Sequence, residues 1–288
     1  MKYFTKQWYQ TNQCTGMHVL LEASDRAAIF SEEYFRELYE LRVQERIETM
    51  QRVQAVDMKA LAAAFADESA RPTHVDGSPV SEQDAEFVDA FRTSLIESLQ
   101  EAPPFVFDPE EERKNVHLQY LSKLEHLERY LPKETRAKVA DLRVLALNHA
   151  TQEVIDEIAA FSQSCSAIVN RAYDLYRQDY KNNFSAEKPA FFREFDLHDA
   201  RILSVRREDR DLVFTFKENF FWRFRDAEFI LCEEPIEQCC WLIDEIYPTE
   251  NGGYELHAML EEISESGDIR PLEFILQFRD AETGVLQE

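Results

Sequence analysis

Glycine is scarce: Gly16 and Gly77 are the only two in the first 190 residues, and Gly252, Gly253, Gly267 and Gly284 fall in the last 98. Glycine is rare inside helices, so the two parts of the chain are expected to differ in class. Long apolar runs are missing too, because Glu, Arg or Asp interrupts every candidate within a few residues. A membrane span needs roughly 18 or more, so none is expected. The opening Met1, Lys2, Tyr3, Phe4, Thr5, Lys6, Gln7, Trp8 has polar residues where a secretory signal needs a continuous apolar stretch, which points to a cytoplasmic protein. Five cysteines, Cys14, Cys165, Cys232, Cys239 and Cys240, lack the spacing of a zinc site or a thioredoxin-like motif and read as reduced thiols. Neighbours on a strand point to opposite faces, so Cys239 and Cys240 are read as two packed small residues. Gly-x-Ser-x-Gly, the P-loop, Gly-x-Gly-x-x-Gly and His-Glu-x-x-His are all absent, and no cofactor is indicated. Positive charge is also short: 32 Lys and Arg stand against 56 Asp and Glu, a net charge of -24, which repels nucleic acid and anionic lipid alike.

What is present is a globular composition, 44% apolar and 31% charged. Ser31 with Glu32 and Glu33 opens a helical spacing through Phe35, Tyr39, Val43, Ile47, Met50 and Val53. Arg71 to Pro79 reads as a linker, and Ser81 with Asp84 as a capping box ahead of Phe87, Phe91, Leu95 and Leu99. Asp108 and Pro109 start a third helix to about Leu131, and Pro132 restarts a fourth to about Leu147. Val154, Ile158, Phe161, Cys165, Ile168, Ala172 and Leu175 alternate spacings of four and three, a heptad stripe that packs within a bundle or in a dimer.

From about Asp196 the period becomes two. Leu212, Phe214 and Phe216, then Trp222 and Phe224, then Tyr254, Leu256, Ala258 and Leu260 alternate with polar neighbours. Turn residues at Asp209 to Asp211, Asn219, Glu233 to Pro235, Asn251 to Gly253 and Ser266 to Asp268 separate about six strands. Cys239 to Tyr247 fits a strand or a short helix. The expected fold class is α+β: an all-α helical bundle over 1–190, then a small antiparallel β domain over 191–288, curled or covered on one face and joined through Asn182 to Phe195.

The opening Met1-Lys2-Tyr3-Phe4-Thr5-Lys6-Gln7-Trp8-Tyr9, with Phe30 to Phe35 and Leu197-His198-Asp199-Ala200-Arg201-Ile202, resembles a bacterial family whose members carry a domain of unknown function. The resemblance covers the whole chain; it implies a bacterial protein and supplies no activity. His198-Asp199 before the first strand, with Trp241 to Tyr247 and Tyr254-Glu255-Leu256-His257, is also similar to small β-rich domains of bacterial toxin-immunity proteins.

The polar candidates in the β part are His198, Asp199, Asp244, Glu245, Glu255 and His257. His198, Asp199 and His257 are a transition-metal ligand set if the first and fifth strands approach each other. The plainer alternative has His198 and Asp199 bonding backbone at a turn and His257 at the surface. The 44 residues between Arg225 and Arg270 hold no Lys or Arg but thirteen acids, Glu233, Glu234, Glu237, Glu261 and Glu262 among them. That segment reads as a surface for a basic protein partner. Three functions follow: a non-enzymatic interaction protein, immunity-like or regulatory, with this acidic domain as its binding part; a metal-dependent hydrolase using His198, Asp199 and His257; or an oligomerisation module through the 154–175 helix.

Overall fold

The computed structural model describes residues 1–66, 82–101, 103, 105–184, 189–217, 219–233, 235–263 and 269–286. The 71–79 linker, Ser81 of the capping box, Ser185 and Lys188 of the second linker, the 266–268 turn and Glu234 therefore lie outside the described residues. The fold class is α+β, with helices and antiparallel sheets. The chain divides into two compact units, Met1–Val19 with Asp156–Glu288, and Leu20–Ile155. This division differs from a cut at residue 190: the first 19 residues and most of the longest helix belong with the sheets.

The Leu20–Ile155 unit holds strand β1 (Glu22–Ala23) and helices α2 (Glu32–Gln54), α3 (Met58–Phe65), α4 (Glu82–Glu101), α5 (Pro109–Tyr130), α6 (Lys133–Arg136) and α7 (Leu142–Ala146), followed by strand β2 (His149–Ala150). Helix α2 starts where expected, with the Ser31 hydroxyl accepting the Tyr34 N–H, and α5 starts with Asp108 accepting from Glu110 and Pro109 in the first turn. The fourth helix is not continuous: Ala137 to Asp141 separate α6 from α7, and the Asp141 carboxylate caps α7 by accepting the Arg143 N–H. A side chain that satisfies orphan N–H groups restarts a helix more readily than it extends one. Helix α2 packs on α5 and α7, α5 on α7, and α3 on α4.

The other unit contains helix α1 (Lys6–Asn12), most of α8 (Gln152–Asn183), and strands β3 (Ile202–Glu208), β4 (Asp211–Phe216), β5 (Phe220–Arg225), β6 (Glu228–Cys232), β7 (Cys240–Pro248), β8 (Tyr254–Ile263), β9 (Ile269–Phe278) and β10 (Asp280–Val285). Of the Cys239 to Tyr247 segment, Cys240 onward thus resolves as strand. Two antiparallel sheets form, in the orders β10-β5-β4-β3 and β6-β9-β8-β7. The chain changes sheet after β5 and after β9, and Arg279 donates its N–H to the Arg225 carbonyl where the two crossings meet. At the opposite edge Arg201 bridges to Cys240, so the curl expected of the meander is nearly a closed barrel. Its interior is aromatic: Phe214 meets Phe274, Phe216 meets Trp241 and Phe224 meets Phe278, with ring centroids 5.8, 6.5 and 5.0 Å apart. Tyr254, Leu256, Ala258 and Leu260 all face this core, as their alternation predicts.

The outer face of the β7-β8-β9 sheet is covered as well. Met259, on the otherwise polar side of β8, is fully buried with Phe4, Trp8, Tyr9 and Val169. Along α8 the buried residues are Val154, Ile158, Ser162, Cys165 and Val169, whereas Ile168 and Leu175 of the heptad stripe are exposed. The burial follows the 3.6-residue turn of a straight helix, which drifts away from a seven-residue repeat within two heptads.

Candidate functional site

Four segments meet in a cleft of about 390 Å³ beside β7. Tyr173, Tyr176 and Tyr180, spaced three and four apart on α8, form one wall. Phe195, Asp196 and His198 come from the connection into β3, Leu242 and Asp244 from β7, and Phe4 from the amino-terminal segment. A bulge in β7, where the pairing to β8 shifts between Trp241 and Ile243, places Leu242 and Ile243 together on the outer face.

Two carboxyls on this cleft differ in environment. Asp196 is exposed and has no ion-pair partner among the described residues. Asp244 keeps some residue surface, but its carboxyl is withdrawn from water and accepts the Trp241 Nε1–H at 3.0 Å. Burial pushes its pKa up from the ordinary 3.8 to about 6, the Trp241 bond opposing and the Asp196 and Glu245 charges adding to the rise. The folded chain therefore holds this proton to higher pH than the unfolded chain. Its stabilising effect is complete below about pH 4 and is lost as pH rises through about 6. Asp244→Asn is expected to raise stability at pH 7.5 by about 2–3 kcal/mol and to leave it unchanged below pH 4. Denaturant unfolding over a pH series checks this, and a variant that shows no pH-dependent gain would contradict it.

The cationic groups on the cleft already have partners: Arg177 lies 3.4 Å from Asp174, and His198 Nδ1 is 3.1 Å from Asp199. Below the cleft, on the outer face of β7, the fully buried Glu245 accepts the backbone N–H groups of Lys2, Tyr3 and Phe4 at 2.6–2.7 Å. Its fourth donor is the Tyr247 hydroxyl at 2.8 Å, a phenol that burial and the Glu245 charge keep protonated well above the ordinary range. These bonds fix Phe4 in the cleft wall. Lys2 and the Tyr3 hydroxyl both reach Asp179, and they hold its carboxyl below the usual range.

The expected metal ligands are not brought together. His198 and Asp199 contact each other at the surface, while His257 Nε2 is 2.5 Å from Glu255 and its buried Nδ1 has no partner. Among the described residues no group of three or more His, Cys, Asp or Glu side chains could hold a metal ion. In a curled sheet β3 and β7 share an edge, which brings His198 toward Asp244 rather than toward β8. Of the acidic residues, Glu233 binds Lys6 and the Glu273 N–H, Glu261 accepts from the Tyr9 hydroxyl, and Glu262 pairs with Arg270. Glu237 stands exposed. The five thiols are free, and burial raises those of Cys14 and Cys239 to about 11, which makes them poor nucleophiles.

The tyrosine wall lies outside the heptad pattern, which picks out Ala172 and Leu175 on the same turns of α8. The sequence signal for it is the recurrence of Tyr173, Tyr176 and Tyr180. Among the described residues no helix is long and apolar enough to cross a membrane. No protein-family model matches the chain, and no curated protein or solved structure resembles it significantly.

Proposed function

We propose that this chain is a non-enzymatic interaction protein, with its helical amino-terminal part as scaffold, and that its aromatic cleft receives a basic side chain of a partner protein. The observation that carries the reading is the lining: Tyr173, Tyr176, Tyr180 and Phe195 supply ring faces, and Asp196 and Asp244 supply negative charge that no cation among the described residues neutralises. Ring faces attract an ammonium or guanidinium group, and carboxylates beside them add charge. The net charge of -24 steers a basic partner toward the whole molecule.

Calorimetric titration with N-acetyl-arginine amide and N-acetyl-lysine amide, against citrulline and norleucine analogues, tests this. The cationic probes are expected to bind and the neutral ones to fail, with Asp196→Asn plus Asp244→Asn weakening binding at least about tenfold, or about 1.4 kcal/mol. Binding should also weaken below about pH 6, where Asp244 takes up its proton. Equal binding of cationic and neutral probes would overturn the reading.

A further inference from the structure

The Leu20–Ile155 unit contains a second cleft of a different kind, about 220 Å³, in which three cations converge from two helices. Arg42 and Arg46 lie one turn apart on α2, and Lys123 faces them from α5. Gln119, Tyr120 and Asn148 complete the polar lining, and no carboxylate is part of it.

The hydrogen bonds indicate which of these groups are spoken for. Four of the five Arg42 N–H groups are committed among the described residues, two to the Leu147 carbonyl, one to Glu45 and one to Glu22, which fixes the guanidinium as a wall with one Nη1–H left over. Arg46 gives its Nε–H to Glu112 at 2.6 Å, and no bond to its two terminal nitrogens occurs among the described residues. Lys123 donates to the Asn148 amide oxygen and has no carboxylate partner among the described residues. Burial and the Arg42 charge both press its pKa down. An ammonium withdrawn from water beside a guanidinium, with one neutral acceptor, is a costly arrangement unless an anion completes it.

We propose that Arg42, Arg46, Lys123 and Asn148 form a binding site for the phosphate group of a small molecule. A phosphate offers several acceptor oxygens and a double charge, which suits the free N–H groups of Arg46 and Lys123 better than a single carboxylate does. The size of the cleft and the negative field of the chain exclude polyanions such as nucleic acid.

The test is titration of the full chain with inorganic phosphate at constant ionic strength, with sodium chloride and sodium acetate as controls, read by calorimetry and by Tm. Phosphate should bind saturably at one site and raise Tm, and the controls should not. Lys123→Met should weaken phosphate binding at least about tenfold while making the unliganded chain more stable, because it removes the uncompensated charge. A structural role alone would not produce that opposite pair of effects. Arg46→Gln, at a half-exposed position, should weaken binding with little change in folding. Methyl phosphate binding more tightly than inorganic phosphate would assign the site to a phosphate ester; the reverse order would assign it to the free ion. No saturable response to phosphate beyond the salt controls, or wild-type affinity in both variants, overturns the proposal.

Discussion

Glu245→Ala is expected to lower the unfolding free energy by about 3–5 kcal/mol, since it strips four donors of their common acceptor in a buried place. Three of the donors are consecutive backbone N–H groups, of Lys2, Tyr3 and Phe4, which cannot rotate away toward water as a side chain would. The loss should be local as well as global. Amide exchange at residues 2–4 should rise to that of open chain before the sheets unfold, and the Phe4 side of the cleft should loosen with it. Glu245→Gln keeps one acceptor oxygen but turns an NH₂ group toward the donors, so it should recover less than half of the stability. Denaturant unfolding with hydrogen exchange measures both effects. A loss below about 1 kcal/mol would mean that water replaces the carboxylate, contrary to its complete burial.

Trp241→Ala should cost a similar amount, about 3–5 kcal/mol, for a different reason. The indole is fully buried and packs edge-on against Phe274 at 5.3 Å and Phe195 at 6.2 Å, so truncation leaves a cavity in the barrel interior. Trp241 also donates to Asp244, the one bond that lowers the pKa of that carboxyl. Trp241→Phe separates the two roles. It fills most of the cavity and should cost about 1–2 kcal/mol, yet it should move the Asp244 titration above pH 6. If the titration does not move, the indole N–H has no electrostatic part in the cleft.

The strands were legible because alternation is a local signal: Phe214, Phe216, Trp222 and Phe224 declare an inner face without knowledge of what covers it. The start of α2 at Ser31 was legible for the same reason, since a cap and its acceptor lie within one turn. What covers a face is not local. Met259 shares its strand face with Glu255, His257 and Glu261, and only the docking of Trp8 and Val169 on that side makes it core. Asp244 and Glu245 were both visible as polar residues in a segment that fits a strand or a short helix, but their separate fates rest on partners 241 to 243 residues away for Glu245 and on a bulge for Asp244. Alternation could not register the bulge, which moves Leu242 and Ile243 to one side. The phosphate cleft was hidden because Arg42, Arg46 and Lys123 look like ordinary surface residues of two separate helices.

The division of the chain has a consequence for its synthesis. Met1–Val19 is made before Leu20–Ile155, but its acceptor Glu245 and its packing partner Met259 emerge only after the whole of Leu20–Ile155 has been made. At about 5–20 residues per second, the opening strap waits on the order of ten to fifty seconds for them. During that interval Phe4, Trp8 and Tyr9 have no site, and Leu20–Ile155 is free to fold as a nested unit whose two ends stay tethered to unfinished chain. Met1–Val19 is thus made early and fastened late, and its aromatic side chains stay uncovered until β7 and β8 have been made.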